Sequence, residues 1–370
     1  MVNKFFLSLI KSEFSAVDFE NIANMMSQNQ SLDYLNDNEA ILFAWNKMKK
    51  MGLPIIINSM AFRKFAIETE LKRKEIARFT NKINSVLKDN EIPVLFCKGI
   101  PYEYMIYGQK VGRYIGDIDI LVPEKHLKQT NRLLMELGFE VHNNIEGSIA
   151  PITITTAEKL YTRHIVFLNG LCMVEVHRQL HHFAERVIMH ADESQIYFES
   201  FYKNHVYINN DEVHDIPTLD ECDSLMVLCN HAFNEQRLSQ IATRNAYTMK
   251  YYIDIYHNAK RIEELNLWGE LYERSDRYNF RLAIGTLLTQ IAELFDWNSS
   301  KAFKLFVTDE IYENKNHISL RTEKLNPVAL WRKPFKERFF CYGLDDIELF
   351  LEKIPQGRLP EPFIEKYKNN

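Results

Sequence analysis

The chain has 370 residues, 46% of them hydrophobic and 26% charged, which excludes wholesale disorder. With only 12 glycines and 11 prolines, it is too poor in turn formers for a collagen-like chain or a turn-rich all-β protein, so most of it is expected to be helix. The net charge of −5 supplies no global basic field, and polymeric nucleic acid is not an expected partner.

Residues 1–14 (MVNKFFLSLIKSEF) hold a short apolar run, soon followed by acidic residues and without a small-residue cleavage site. They read as a first amphipathic helix rather than a signal peptide. Phe62, Phe65, Ile76, Phe79, Ile83 and Val86/Leu87 then recur at spacings of three and four, with charged residues between, predicting a long helix over 60–89. The character changes at Pro93. Segment 93–97 (PVLFC) reads as a buried strand ending at Lys98-Gly99, and a helix-like stretch PYEYMIYG follows. Residues 115–122 (IGDIDILV) predict a second strand, 124–137 a helix closed by Gly138, and FEVH a further strand. Segment 143–160 is polar with Ile-Thr alternation and shows no clear period. HIVFLNGLCMVEVHRQL predicts a β-hairpin turning at Asn169-Gly170.

From residue 183 the three/four spacing returns, over 220–233, 238–260, 262–274 and 278–295. The tail 326–370 carries five of the 11 prolines and is expected to be extended or partly loose. No internal repeat is visible, and no apolar stretch approaches the roughly 18 residues a membrane-spanning helix needs. The expected layout is α+β: an N-terminal helical region (1–90), an α/β core (91–182), a C-terminal helical domain (183–325) and a Pro-containing tail (326–370). The five cysteines are odd in number and form no CxxC pair, which points to a reducing cytoplasm and away from disulfides or a zinc knuckle.

Asp117 and Asp119 sit two apart in a strand, so both project to one face while Ile118, Ile120 and Val122 take the other. Adjacent carboxylates repel, and aspartate is disfavoured in strands. A hard cation, Mg²⁺ or Mn²⁺, is the compensation this pattern calls for. In Met173-Val-Glu-Val-His, Glu175 and His177 share a face opposite Val174 and Val176. If this strand neighbours 115–122, Glu175 completes three carboxylates, the set that supports two-metal displacement at phosphorus. His177 could orient a carboxylate or contact a phosphate. Seven of the 12 glycines lie between Gly99 and Gly170. A glycine at a strand-to-helix junction lets backbone N–H groups approach phosphate, and Lys98 and Arg113 add charge for a triphosphate.

Lys98-Gly99, Tyr107, Arg113-x-x-Gly116-Asp-Ile-Asp-Ile-Leu-Val and Glu175-Val-His177 together resemble the bacterial uncharacterised nucleotidyltransferase family of the DNA polymerase beta-like superfamily. The stretch Leu225 to His231, followed by Tyr251-Tyr-Ile-Asp254-Ile, is similar to a helical pattern of that family. The resemblance implies a small mixed sheet flanked by helices that binds an NTP, ATP above all, with Mg²⁺ or Mn²⁺. Asp117 and Asp119 would hold the metals, and Glu175 would hold the one that activates the acceptor hydroxyl. Gly99, Lys98, Arg113, Gly116 and His177 would contact the nucleotide. His231 and Asp254 match by pattern only. The Gly-Ser signature of better-known members is absent, and Lys98-Gly99 or Gly112-Arg113 stands in its place.

The resulting expectation is transfer of a nucleoside monophosphate to a hydroxyl of a small molecule or protein, with release of pyrophosphate. Two other readings stay open at this point: a catalytically weak nucleotide- or partner-binding module, and a two-metal phosphohydrolase or nuclease.

Overall fold

The computed structural model describes residues 39, 41–50, 60–145, 148–160, 164–178, 180, 191–237, 241, 247–277, 280–319, 327–339, 344–354 and 359–368. The helix expected at 1–14 and most of residues 238–246 lie outside the described residues. The chain divides into two compact units: a sheet unit of residues 40–180 and 186–224, and a helical unit built mainly from 225–370.

In the sheet unit, α1 (Ile41–Lys50) and α2 (Met60–Asp89) precede β1 (Leu95–Phe96), α3 (Gly99–Tyr107) and β2 (Ile118–Leu121). Next come α4 (Leu127–Glu136), β3 (Glu140–Ile145), β4 (Ser148–Pro151) and α5 (Ile154–Leu160). The hairpin β5 (His164–Asn169) and β6 (Cys172–His177), then α6 (Ala191–Tyr202), β7 (Val206–Ile208) and β8 (Ile216–Thr218), complete it. The eight strands form one mixed sheet in the order β4-β3-β5-β6-β2-β1-β8-β7. Strand β2 pairs antiparallel with β1 and parallel with β6.

The apolar stripe of α2 explains its place. Ile76, Phe79, Ile83 and Leu87 are buried in one core with Ile118, Ile120, Val174 and Val176, and the Phe79 ring meets Phe139 edge-on at 4.9 Å. Burying a side chain of this size is worth about 1.5–3 kcal/mol, so four of them suffice to fix the helix on the sheet. That packing leaves the opposite sheet face to Asp119, Glu175 and His177.

Not every charged residue of α2 faces water. Arg73 is buried, and its guanidinium pairs with Glu103 Oε2 and Glu212 Oε2, each at 2.5 Å. The other Glu103 oxygen accepts the backbone N–H groups of Val111, Gly112 and Arg113, all at 2.9 Å. A carboxylate with this many donors can be buried without an uncompensated charge. Gly112 in this loop has φ +86°, and a Cβ there would lie 2.7 Å from Leu42 O and 2.5 Å from Asn46 Nδ2 of α1. Only glycine fits.

The hairpin forms as expected but turns one residue later. Asn169 pairs with Cys172, so Gly170 and Leu171 are the central residues, and Gly170 takes φ +57° at the first of them. Glycine at that place suits a two-residue hairpin turn. A larger difference is that β7 and β8 lie where helix was expected. Both are three residues long, and Pro217 sits inside β8, so neither gives a strand signal; β8 is recruited by parallel pairing of Thr218 with Phe96.

The helical unit follows the expected spacing. It contains most of α7 (Glu221–Asn234), then α8 (Met249–Glu264), α9 (Trp268–Arg277), α10 (Arg281–Phe295), α11 (Ser300–Phe306) and α12 (Asp309–Glu313). Tyr252, Ile255 and Ile262 of α8 and Ile284, Leu287 and Ile291 of α10 are buried. A second sheet, β9 (His317–Ser319), β10 (Pro327–Trp331) and β11 (Ile347–Leu349), accompanies α13 (Phe335–Arg338) and α14 (Glu361–Lys368). The Pro-containing tail thus carries regular elements. Three of its prolines stand where such elements tolerate them: Pro327 opens β10, Pro334 precedes α13 and Pro362 falls in the first turn of α14. Among the described residues, no helix is long and apolar enough to cross a membrane.

Candidate functional site

The parallel pairing of β2 with β6 sets Asp119 directly beside Glu175, and Leu121 beside His177. Side-chain alternation turns Ile118, Ile120, Val174 and Val176 to the α2 core, which aims the polar partners the other way. Asp117 lies just before β2 on the Asp119 side. The result is a carboxylate triad: Asp117, Asp119 and Glu175 each bring an oxygen to within 4.8 Å of the others.

Two cations of the chain itself reach this cluster. Lys98, at the end of β1, donates from Nζ to Asp119 Oδ1 at 3.1 Å. His177 Nε2 donates to the same oxygen at 2.8 Å and stands 3.3 Å from Glu175 Oε2. Burial pushes the Asp119 carboxyl up, but Lys98 and then His177 outweigh it and hold Asp119 well below the usual carboxylate range. Burial likewise raises Glu175, and the hydrogen bond with His177 brings it below its ordinary value. For His177 burial works downward, yet its bonds to Asp119 and Glu175 win, and the imidazole is pushed up to about 9. At neutral pH Asp119 and Glu175 are therefore ionised, and His177 carries its proton.

One atom is left over. Asp119 Oδ2 is buried and has no hydrogen-bond partner among the described residues. Leaving a buried carboxylate oxygen unmatched is costly, and two unit charges about 4 Å apart repel by about 4 kcal/mol at an effective dielectric of about 20. A divalent cation between Asp117, Asp119 and Glu175 answers both costs, and the all-oxygen donor set suits Mg²⁺ or Mn²⁺. The residues fit the ion.

Gly99 begins α3 with φ +78°, and no side chain caps that helix end. A Cβ on Gly99 would lie 3.7 Å from the carbonyl oxygen of Asp117, so the open N-terminus of α3 adjoins the carboxylate segment. Gly116 precedes Asp117 and faces the Tyr114 ring, whose Cε1 would be 3.4 Å from an added Cβ.

Arg113 is placed differently from the other candidates. Its guanidinium lies over the Tyr102 ring at 5.3 Å and donates to the Tyr114 carbonyl at 3.3 Å, and it is buried. The amides of Gly112 and Arg113 are committed to Glu103, so this loop does not offer them to phosphate. His231 and Asp254 belong to the helical unit, on α7 and α8; His231 meets the Tyr251 ring edge-on at 4.8 Å, and Asp254 is buried.

Sequence reasoning missed His164. It lies opposite His177 in the hairpin, its Nε2 is 4.0 Å from Glu175 Oε1, and the two imidazole centroids are 5.1 Å apart. The signal was present: counting back from a tight turn between Asn169 and Cys172 pairs residue 164 with 177.

No curated protein and no solved structure matches the sequence. The model of one family, described as "Uncharacterised nucleotidyltransferase", matches residues 26–296, nearly three quarters of the chain and the whole of the carboxylate site. The chain belongs to this uncharacterised nucleotidyltransferase family.

Proposed function

We propose that the chain is a divalent-metal-dependent nucleotidyltransferase that transfers a nucleoside monophosphate from an NTP, ATP in the first instance, to a hydroxyl of a small molecule or protein, releasing pyrophosphate. The observation that carries this reading is the buried, unpartnered Oδ2 of Asp119 within a triad of carboxylates. In this reading Asp117, Asp119 and Glu175 hold Mg²⁺ or Mn²⁺. A divalent ion bound there supplies positive charge to the entering and leaving oxygens of an in-line displacement.

The other roles fall to the chain's own groups. Glu175 accepts the proton of the acceptor hydroxyl as its oxygen bonds to the α-phosphorus and the bond to the β-phosphate oxygen breaks. Lys98 and the open N-terminus of α3 at Gly99 attract the triphosphate, and Gly116 keeps the approach free of a side chain. His177 fixes the orientation of Asp119 and Glu175. Arg113, stacked on Tyr102, is a positioning residue for the loop entering β2. Four buried free thiols, at Cys97, Cys172, Cys222 and Cys229, fit the reducing cytoplasmic setting we propose.

Changing both Asp117 and Asp119 to Asn tests the assignment. Calorimetry with MgATP is expected to show binding by the parent chain and none by the folded double variant. Unchanged affinity sinks the metal assignment.

A second reading has an observation in its favour: Lys98 and His177 already neutralise Asp119 Oδ1. A site balanced by its own cations suits a nucleotide-binding module with little catalysis. Incubation with α-labelled NTP and lysate separates the two, because only the transferase moves label onto an acceptor.

A further inference from the structure

Glu175 belongs to two triads. On one side stand Asp117 and Asp119; on the other, His164, Glu175 and His177 each bring a ligand atom to within 4.8 Å of one another. The hairpin register builds the second set: His164 and His177 are directly opposed on β5 and β6, and Glu175 is two residues before His177 on the same face. Around a tetrahedral ion with bonds of about 2.0–2.1 Å, ligand atoms stand about 3.3 Å apart. His177 Nε2 is 3.3 Å from Glu175 Oε2, and His164 Nε2 is 4.0 Å from Glu175 Oε1. The two rings, with centroids 5.1 Å apart, are tilted by 42° rather than stacked flat.

Two imidazoles and one carboxylate form a borderline donor set, unlike the all-oxygen triad beside it. We propose that His164, Glu175 and His177 form a zinc site, the ion taking the place of the His177 Nε2 proton, which is released to solvent, with a fourth position left to water. It draws on the same Glu175 as the oxygen triad, so bound zinc suppresses binding of the hard cation. The suppression rests on the metal reading of Asp117, Asp119 and Glu175 given above; the zinc site itself does not.

The test uses the full chain stripped of metal with a chelator. Zn²⁺ is titrated by calorimetry, Co²⁺ is followed by its visible absorption, and Mn²⁺ binding to the oxygen triad is followed by electron paramagnetic resonance. We expect one Zn²⁺ per chain and the intense visible bands of four-coordinate Co²⁺. His164→Ala weakens both by roughly a hundredfold or more, since even partners outside the ligand set are worth 10–100-fold. The same variant keeps its Mn²⁺ affinity, which also reports that it is folded; if it does not, His164→Gln takes its place. Saturating Zn²⁺ weakens Mn²⁺ binding by about tenfold or more in the parent chain and leaves it unchanged in His164→Ala.

Absence of Zn²⁺ binding, or binding indifferent to His164→Ala and His164→Gln, overturns the zinc site. Simultaneous binding of Zn²⁺ and Mn²⁺ at unchanged affinities overturns the sharing of Glu175. Zinc binding that depends on His164 in a chain that takes up no Mn²⁺ leaves the zinc site standing and defeats the reading of the oxygen triad instead.

Discussion

Lys98 donates to Oδ1 of Asp119 at 3.1 Å, on the carboxylate whose other oxygen is buried without a hydrogen-bond partner among the described residues. The ammonium therefore plays two opposed parts in the proposed site. It attracts a triphosphate, and it repels a free cation approaching Asp119. Lys98→Met is expected to tighten binding of Mn²⁺ alone by roughly tenfold, about 1.4 kcal/mol of removed repulsion, while weakening binding of the metal–NTP complex. Paired titrations of the ion and the complex check this, and movement of both in the same direction counts against a phosphate role for Lys98.

Glu103 joins three parts of the sheet unit: Arg73 on α2, its own helix α3, and the amides of residues 111–113. Removing it takes one of two carboxylates from a buried guanidinium and strands three backbone donors at once. Glu103→Ala is expected to cost about 3–5 kcal/mol, the range for breaking a buried ion pair from one side. Glu103→Gln, which keeps an acceptor for the amides, is expected to cost less. Urea denaturation midpoints of the two variants decide the order.

Acid should loosen the same region through Glu212. Burial raises its carboxyl, but Arg73 and then Lys110 hold it below the ordinary 4.5. A folded-state value below the unfolded one adds stability that is fully present above about pH 4.5 and is lost as pH falls through the folded value. The stability advantage of the parent chain over Glu212→Gln should accordingly be level from neutral pH to about pH 5 and shrink below 4.5. Thermal melts across that range measure it; an advantage that grows toward low pH contradicts the pairing.

Gly112→Ala is expected to destabilise the sheet unit by about 2–4 kcal/mol, because it adds a left-handed-region penalty to a clash with the α1 backbone at Leu42. Gly285→Ala is the counterpart in the helical unit, where a Cβ would clash with the Phe306 carbonyl oxygen and the Ile311 side chain. Gly108→Ala is the control: it shares a positive φ but meets nothing within 4 Å, so only the conformational cost of about 1 kcal/mol remains. Calorimetric melting of the three variants ranks them.

The parts of the site carried by strand alternation were legible beforehand. Asp117 and Asp119 between isoleucines, and Glu175 and His177 between valines, announce a polar face because the period of two is short and unambiguous. The pairing of β2 with β6 was a condition rather than a deduction, since nothing local specifies which strands meet. Arg73 was hidden for a related reason: on a helix rich in lysine and glutamate, one buried arginine looks like its solvated neighbours until Glu103 and Glu212 arrive from 30 and 139 residues away. His164 was recoverable by counting from the turn, but only with the turn placed one residue further on. Strands β7 and β8 were beyond reach, because three residues are too few to show a period and β8 is centred on a proline.

Strand β2 is hydrogen-bonded on both sides, to β1 and to β6, near the middle of eight strands. A shift of one residue against either neighbour would exchange Asp119 for an isoleucine and put a carboxylate into the α2 core. The spacing of the acidic groups is thus clamped by the same ladder that makes the sheet cohere, and edge strands can fray without disturbing it. Amide protons of Asp119 and Glu175 should accordingly exchange only when the whole unit opens, which puts the carboxylates in its slowest-breathing part.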